Sequence, residues 1–132
     1  MADSFLPLLA ALIAALKANG TISGIVSTRV YSDVPDNPTF PFIVVRISSM
    51  PFDTKTTSDM YHDVQISMFS RGQTPSELGN IRSAVYSLLH NQESSFSATG
   101  VSAIIFTGTA PVFKEPDGKT WHCPMIFRVT VS

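Results

Sequence analysis

Apolar side chains recur along this chain in two rhythms, one helical and one alternating. Phe5, Leu8, Leu9, Leu12, Ile13 and Leu16 fall at i, i+3, i+4, i+7, i+8 and i+11, a single stripe of an α-helix. Ser4 or Asp3 can cap its start, and Asn19-Gly20 supplies its stop. The other side carries Ala10, Ala11, Ala14, Ala15 and Ala18, with Lys17 the one charge. Two readings of that alanine face stay open: simple helix propensity, or close contact with another subunit. The apolar run is shorter than the about 20 residues a bilayer span needs. No basic segment precedes it, so it is expected to be a core helix rather than a signal peptide.

A short segment from Thr21 to Thr28, helical in outline, leads to a Pro-rich connector, Asp33 to Pro41. From Phe42 the β-branched Ile43, Val44, Val45 and Ile47 predict a mostly buried strand. Ser48 to Met60 reads as a polar loop. After His62 the chain alternates, with Val64, Ile66 and Met68 on one face and Asp63, Gln65 and Ser67 on the other. That pattern predicts a half-solvated strand antiparallel to the one before it.

Arg71-Gly72 ends this strand. Thr74, Pro75 and Glu77 then form a capping box with proline at the first helical position. Leu78, Ile81, Val85, Leu88 and Leu89 give the second helix its apolar stripe, ending near His90-Asn91. The next strand is expected from Val101 to Phe113, and Pro116-Asp117-Gly118 marks a tight turn. In the final strand Trp121, Cys123, Met125, Phe127, Val129 and Val131 point inward, while Ile126 is an apolar exception on the outer side. Pro124 lacks a ladder donor, which predicts an edge or a bulge there. The expected fold is α+β: an antiparallel or mixed sheet of about four strands with two main helices on one face, in the order α-β-β-α-β-β. The 132 residues make one domain with no internal repeat.

Composition adds one point. Charged residues make up 14% of the chain, against about 25% in ordinary soluble domains. So weakly charged a surface resists association poorly, and part of it is expected to be covered by other subunits. A net charge of -1 and scattered arginines give no stripe for nucleic acid and no attraction to an anionic membrane. The single cysteine, Cys123, excludes an internal disulfide and fits a reducing compartment.

Catalytic and metal chemistry finds little purchase. There is no phosphate loop, no GxGxxG and no GxSxG elbow. His122 and Cys123 are neighbours on a strand, so they face opposite sides and cannot share a metal. Cys123 reads as a core thiol, and neither cofactor, metal nor catalytic residue is expected. The irregular features say more. A polar loop of a dozen residues inside a hairpin is long, and such loops are often functional. Arg46 shares a strand face with Phe42 and Val44; its stem can pack on apolar surface, or its head can pair with another subunit.

Several segments in order resemble the phage tail terminator, or tail-completion, family of long-tailed phages and gene transfer agents. They are Arg29-Val30-Tyr31 with Val34-Pro35, then Phe40-Pro41-Phe42-Ile43-Val44, then Asp53-Thr54-Lys55. Next come the His62 to Phe69 strand with Ser70-Arg71, then Leu88-Leu89-His90, and last Pro116-Asp117-Gly118 leading to His122 and Phe127. Family members often have Trp before Asp-Thr-Lys, where this chain keeps an aromatic, Phe52. The resemblance implies a structural virion protein with no catalytic residues, assembled in the host cytoplasm and located at the head–tail junction. It implies a hexameric ring of this chain on the tail-tube protein, stopping tube growth and meeting a head connector or stopper protein. On that basis Met50, Phe52, Asp53, Lys55 and Asp59 are the candidate partner-facing residues of the loop. Ala11, Ala14, Ala18 and Arg46 are candidate ring contacts. Another neck component (stopper or adaptor), a tail-tube subunit, or a small cytosolic enzyme are the alternative classes.

Overall fold

Helical spacing and strand alternation converge on one core. In a computed structural model that describes residues 5–51, 60–71, 76–92, 94, 96, 101–109 and 112–131, the first apolar stripe forms helix α1, Phe5–Ala18. Leu8, Leu12 and Leu16 are fully buried on it, each stabilising the fold by about 1.5–3 kcal/mol relative to exposure. Asn19 ends α1 and caps the next helix, its side chain accepting from the Ile22 N–H at 3.0 Å. That helix, α2 (Gly20–Val26), buries Ile22 and Val26. Helix α3, Ser76–Leu89, buries Leu78, Ile81, Val85 and Leu89, the stripe expected for it. Thr74 and Pro75 of the expected capping box lie outside the described residues; the carboxylate of Glu77 accepts from the Ser70 hydroxyl at 2.6 Å.

The strands are β1 (Val30–Tyr31), β2 (Phe42–Pro51), β3 (Met60–Ser70), β4 (Val101–Thr109), β5 (Phe113–Lys114) and β6 (Trp121–Val131). They form one mixed sheet in the order β1-β2-β3-β6-β4, with β5 also on β6. Only β1 and β2 run parallel. The inner face of the sheet (Ile43, Val45, Val64, Ile66, Met68, Cys123, Met125, Phe127 and Val129) packs with the buried helix stripes as one core. The α+β class stands, with two short strands and one short helix beyond the expected count.

Four expectations change in detail. The β2–β3 ladder runs on to Pro51↔Met60, so Ser48 to Pro51 and Met60 are strand rather than loop. Backbone pairing needs no apolar side chain, so polar residues such as Ser48 and Asp63 continue it. The segment from Val101 to Phe113 is two strands rather than one. Register shifts at Val101/Ala103 and Phe106/Gly108 bend β4, and its pairing ends at Thr109↔Met125. Pro124 is not on an edge strand: β6 lies between β3 and β4. The proline stands opposite Ser67, between the end of the β4 ladder at Met125 and the start of the β5 ladder at His122. A missing donor costs least in that gap. On α1, Ala11 and Ala15 are half-buried against the core, whereas Ala10, Ala14 and Ala18 are exposed.

Candidate assembly surface

The helices pack on one face of the sheet; on the other, Phe42, Val44 and Ser67 are buried, while Arg46, Ser48, Ile105, Ile126 and Arg128 are exposed. On that second face, register sets Phe42, Phe69 and His122 side by side, then Val44, Ser67 and Pro124, and then Arg46, Gln65 and Ile126. Ser48, Asp63, Arg128 and Ile105 form a fourth row. Each row follows from the period of two, because alternate residues of every strand share this face.

The first row is an aromatic stack. Phe42 and Phe69 lie 4.9 Å apart and Phe69 and the His122 ring 4.2 Å apart, both stacked. Phe40 and Tyr31 flank Phe42 at 5.0 and 6.0 Å. Phe113 of β5 reaches His122 at 5.1 Å, and His122 Nδ1 stands 2.8 Å from a Glu115 carboxylate oxygen. The Arg71 guanidinium covers Phe40 at 4.1 Å, a cation–π contact, while its Nε donates to the Thr120 hydroxyl. Such a packed, mutually braced row offers a preformed surface.

The β5–β6 turn fixes one end of this row. Asp117 accepts from the Lys119 N–H at 2.8 Å and from the Thr120 N–H and hydroxyl at 3.0 and 2.7 Å. Arg71 lies 3.5 Å from its second oxygen. These donors, the Lys119 N–H foremost, hold its pKa down at about 2. A depressed carboxylate stabilises the turn above its ordinary pKa of 3.8, and the contribution is lost as pH falls through about 2. Side-chain carboxyl NMR is therefore expected to show Asp117 titrating near pH 2. A midpoint near 3.8 would show that these hydrogen bonds do not persist in solution.

Beyond the buried Val44 and Ser67, described residues of this face are more exposed. A hollow of about 560 Å³ is lined by Val34, Phe42, Val44, Arg46, Gln65, Ser67, Phe69 and His122. A smaller one, about 200 Å³, lies between Arg46, Ser48, Asp63, Gln65 and Ile126. Arg128 pairs with Asp63 at 3.2 Å, which leaves the exposed Arg46 with no ion pair among the described residues. Ile105, Ile126 and Phe113 are 43%, 39% and 40% exposed, and register puts all three on this face. Half of the exposed large apolar side chains among the described residues are thus on one surface. Its chemistry suits burial against protein.

Of the residues singled out from sequence, Arg46 lies on this face, in β2 beyond its pairing with β1. Met50 is in β2, near the hairpin tip. Phe52, Asp53, Lys55 and Asp59 lie outside the described residues. Ala14 and Ala18 are exposed on the helix side, away from Arg46, in line with Ala10 and the 67% exposed Leu6. Sequence reasoning missed Ile105 and Phe113. Ile126 did give a signal, as the apolar residue out of step in β6. Ile105 gave none, because the bulge near Val101 changes which β4 residues face outward.

The chain matches the family described as tail completion protein gp17 over residues 10–132. Among solved structures it is similar to a chain from the virion of a native gene transfer agent particle. The TM-score is 0.81 at 21% identity, covering 94% of this chain and 93% of that one. No curated protein matches the sequence.

Proposed function

Because this chain belongs to the tail completion protein gp17 family, and is thus a structural component of the virion tail rather than an enzyme, we propose that it is the tail terminator. In this reading it forms a hexameric ring on the end of the tail-tube protein, stops tube growth, and meets the connector or stopper protein of the head. The family match over residues 10–132 carries the proposal. The exposed apolar residues of the sheet face and the low charge supply its physical basis.

Two surfaces with exposed apolar side chains on opposite sides of one chain suit a head-to-tail contact, which closes into a ring when the rotation allows. The sheet face around Arg46, Ile105 and Ile126 is one surface. The exposed side of α1, with Leu6, Ala10, Ala14 and Ala18, is the other. Met50, Phe52, Asp53, Lys55 and Asp59, at or beyond the end of β2, are left to face the tube or the connector.

The double change Ile105→Lys, Ile126→Lys tests the ring contact. Both side chains are exposed, so each change should move stability by no more than about 0.5 kcal/mol. In a ring, the same lysines must be buried without partners. The variant is expected to melt like wild type and to give no hexamer on tails by electron microscopy. Normal rings would remove the sheet face from the contact, and tubes growing from purified protein alone would favour a tube subunit instead.

A further inference from the structure

We infer that His90 is a positioning residue for the contact between copies, holding Ile105 in the assembly surface only while its imidazole is neutral. The consequence for assembly rests on the hexamer proposed above; the latch itself belongs to the single chain. Asn91, at φ 58°, turns the chain sharply after α3, in a left-handed conformation that Asn tolerates. That turn lays the end of the helix against β4. There the Asn91 N–H donates to the Ile104 carbonyl at 2.9 Å, and the Phe106 N–H donates to His90 Nδ1 at 3.1 Å. These bonds take one group from each of the two peptide units that flank Ile105. Both units are thus held from the helix side, while the 43% exposed Ile105 side chain lies on the other face.

The hold falls where β4 is weakest. Its ladder to β6 shifts register between Phe106 and Gly108, and such an irregularity locally disrupts strand pairing. Aromatic packing fixes the aim of the imidazole. Tyr86 stacks on His90 at 4.8 Å and meets the Phe106 ring edge-on at 5.4 Å.

A backbone N–H can donate to Nδ1 only while that nitrogen keeps its lone pair, so the contact requires the neutral ring with its proton on Nε2. Protonation puts a hydrogen on Nδ1 and sets two donors against each other. The Phe106 N–H then loses its acceptor beside the irregularity, and the segment carrying Ile105 is released. Histidine is the side chain that ordinarily changes charge between about pH 5 and 8, so mild acid is the trigger. From α3 the titratable group facing His90 is the Tyr86 phenol, and the last turn of that helix holds no Lys or Arg. Val101–Thr109 has no ionisable residue, and Glu93 lies outside the described residues.

The test begins with the full-length free protein. At about pH 7.5, long-range proton–nitrogen NMR should show His90 as the Nε2–H tautomer. Protection of the Phe106 amide, corrected for its intrinsic exchange rate, should fall about tenfold or more on going to about pH 5. His90→Asn keeps an acceptor oxygen at the place of Nδ1 but cannot titrate, so its protection should be equal at both pH values. His90→Phe keeps an aromatic ring without the acceptor, and protection should be lost at both. His62 and His122 are present in all three proteins, so any effect of theirs appears in each. Sedimentation with tails purified from particles made without this chain should follow the same pattern, wild type binding about tenfold more weakly in acid. An Nδ1–H tautomer would overturn the inference, as would equal acid loss of protection in wild type and His90→Asn. So would undiminished tail binding by His90→Phe. Exchange that follows the pattern, with wild-type protein failing to join tails at either pH, would overturn the terminator reading and with it the role in assembly.

Discussion

Truncating Phe127 to alanine will cost about 3–5 kcal/mol of folding stability, the largest loss expected from any single change on β6. Its ring is fully buried and is among the largest such side chains in the core. It packs 5.4 Å from Phe106 on one side, with Val64 opposite on β3. Because β6 is held by β3 and β4 at this level, the backbone cannot collapse into the void. Trp121→Ala should cost less, since the indole is half-buried with the Lys114 ammonium over it at 4.9 Å. Cys123→Ala should cost least, because the buried thiol is small. Urea denaturation of the three variants will rank them. A Phe127→Ala loss below about 1 kcal/mol would contradict the central position of β6.

Removing the charges between β2 and β3 should do the reverse, sparing the fold and abolishing assembly. Asp53→Ala, Lys55→Ala, Asp59→Ala changes residues expected to be solvated in the free subunit, where each substitution shifts stability by no more than about 0.5 kcal/mol. Paired and desolvated at an interface, the same residues would each cost roughly 2–5 kcal/mol on losing a partner. In the proposed ring that loss would recur in every subunit. The triple variant should melt like wild type while cells making it accumulate overlong tails, or tails detached from filled heads. Normal tails joined to heads would show that this segment carries no contact.

Much of this architecture was legible in the sequence because burial leaves periodic traces. The stripes of α1 and α3, and the alternation of β3 and β6, each follow from one face meeting the core. Asn19-Gly20 and Pro116-Asp117-Gly118 marked real boundaries for local reasons of capping and turn geometry. Strand order left no such trace. That β6 inserts between β3 and β4 depends on long-range pairing, so Pro124 read as an edge or a bulge. The assembly face was only partly visible: Arg46 and Ile126 broke the pattern of their strands, whereas Ile105 was hidden by a bulge and Phe113 by a two-residue strand.

The central claim is that this chain ends tail growth and joins the tail to the head. Electron micrographs of particles from cells lacking only this chain test it most directly. Filled heads without tails, beside tube polymers longer than wild type, are expected. Tails of normal length attached to heads would contradict it.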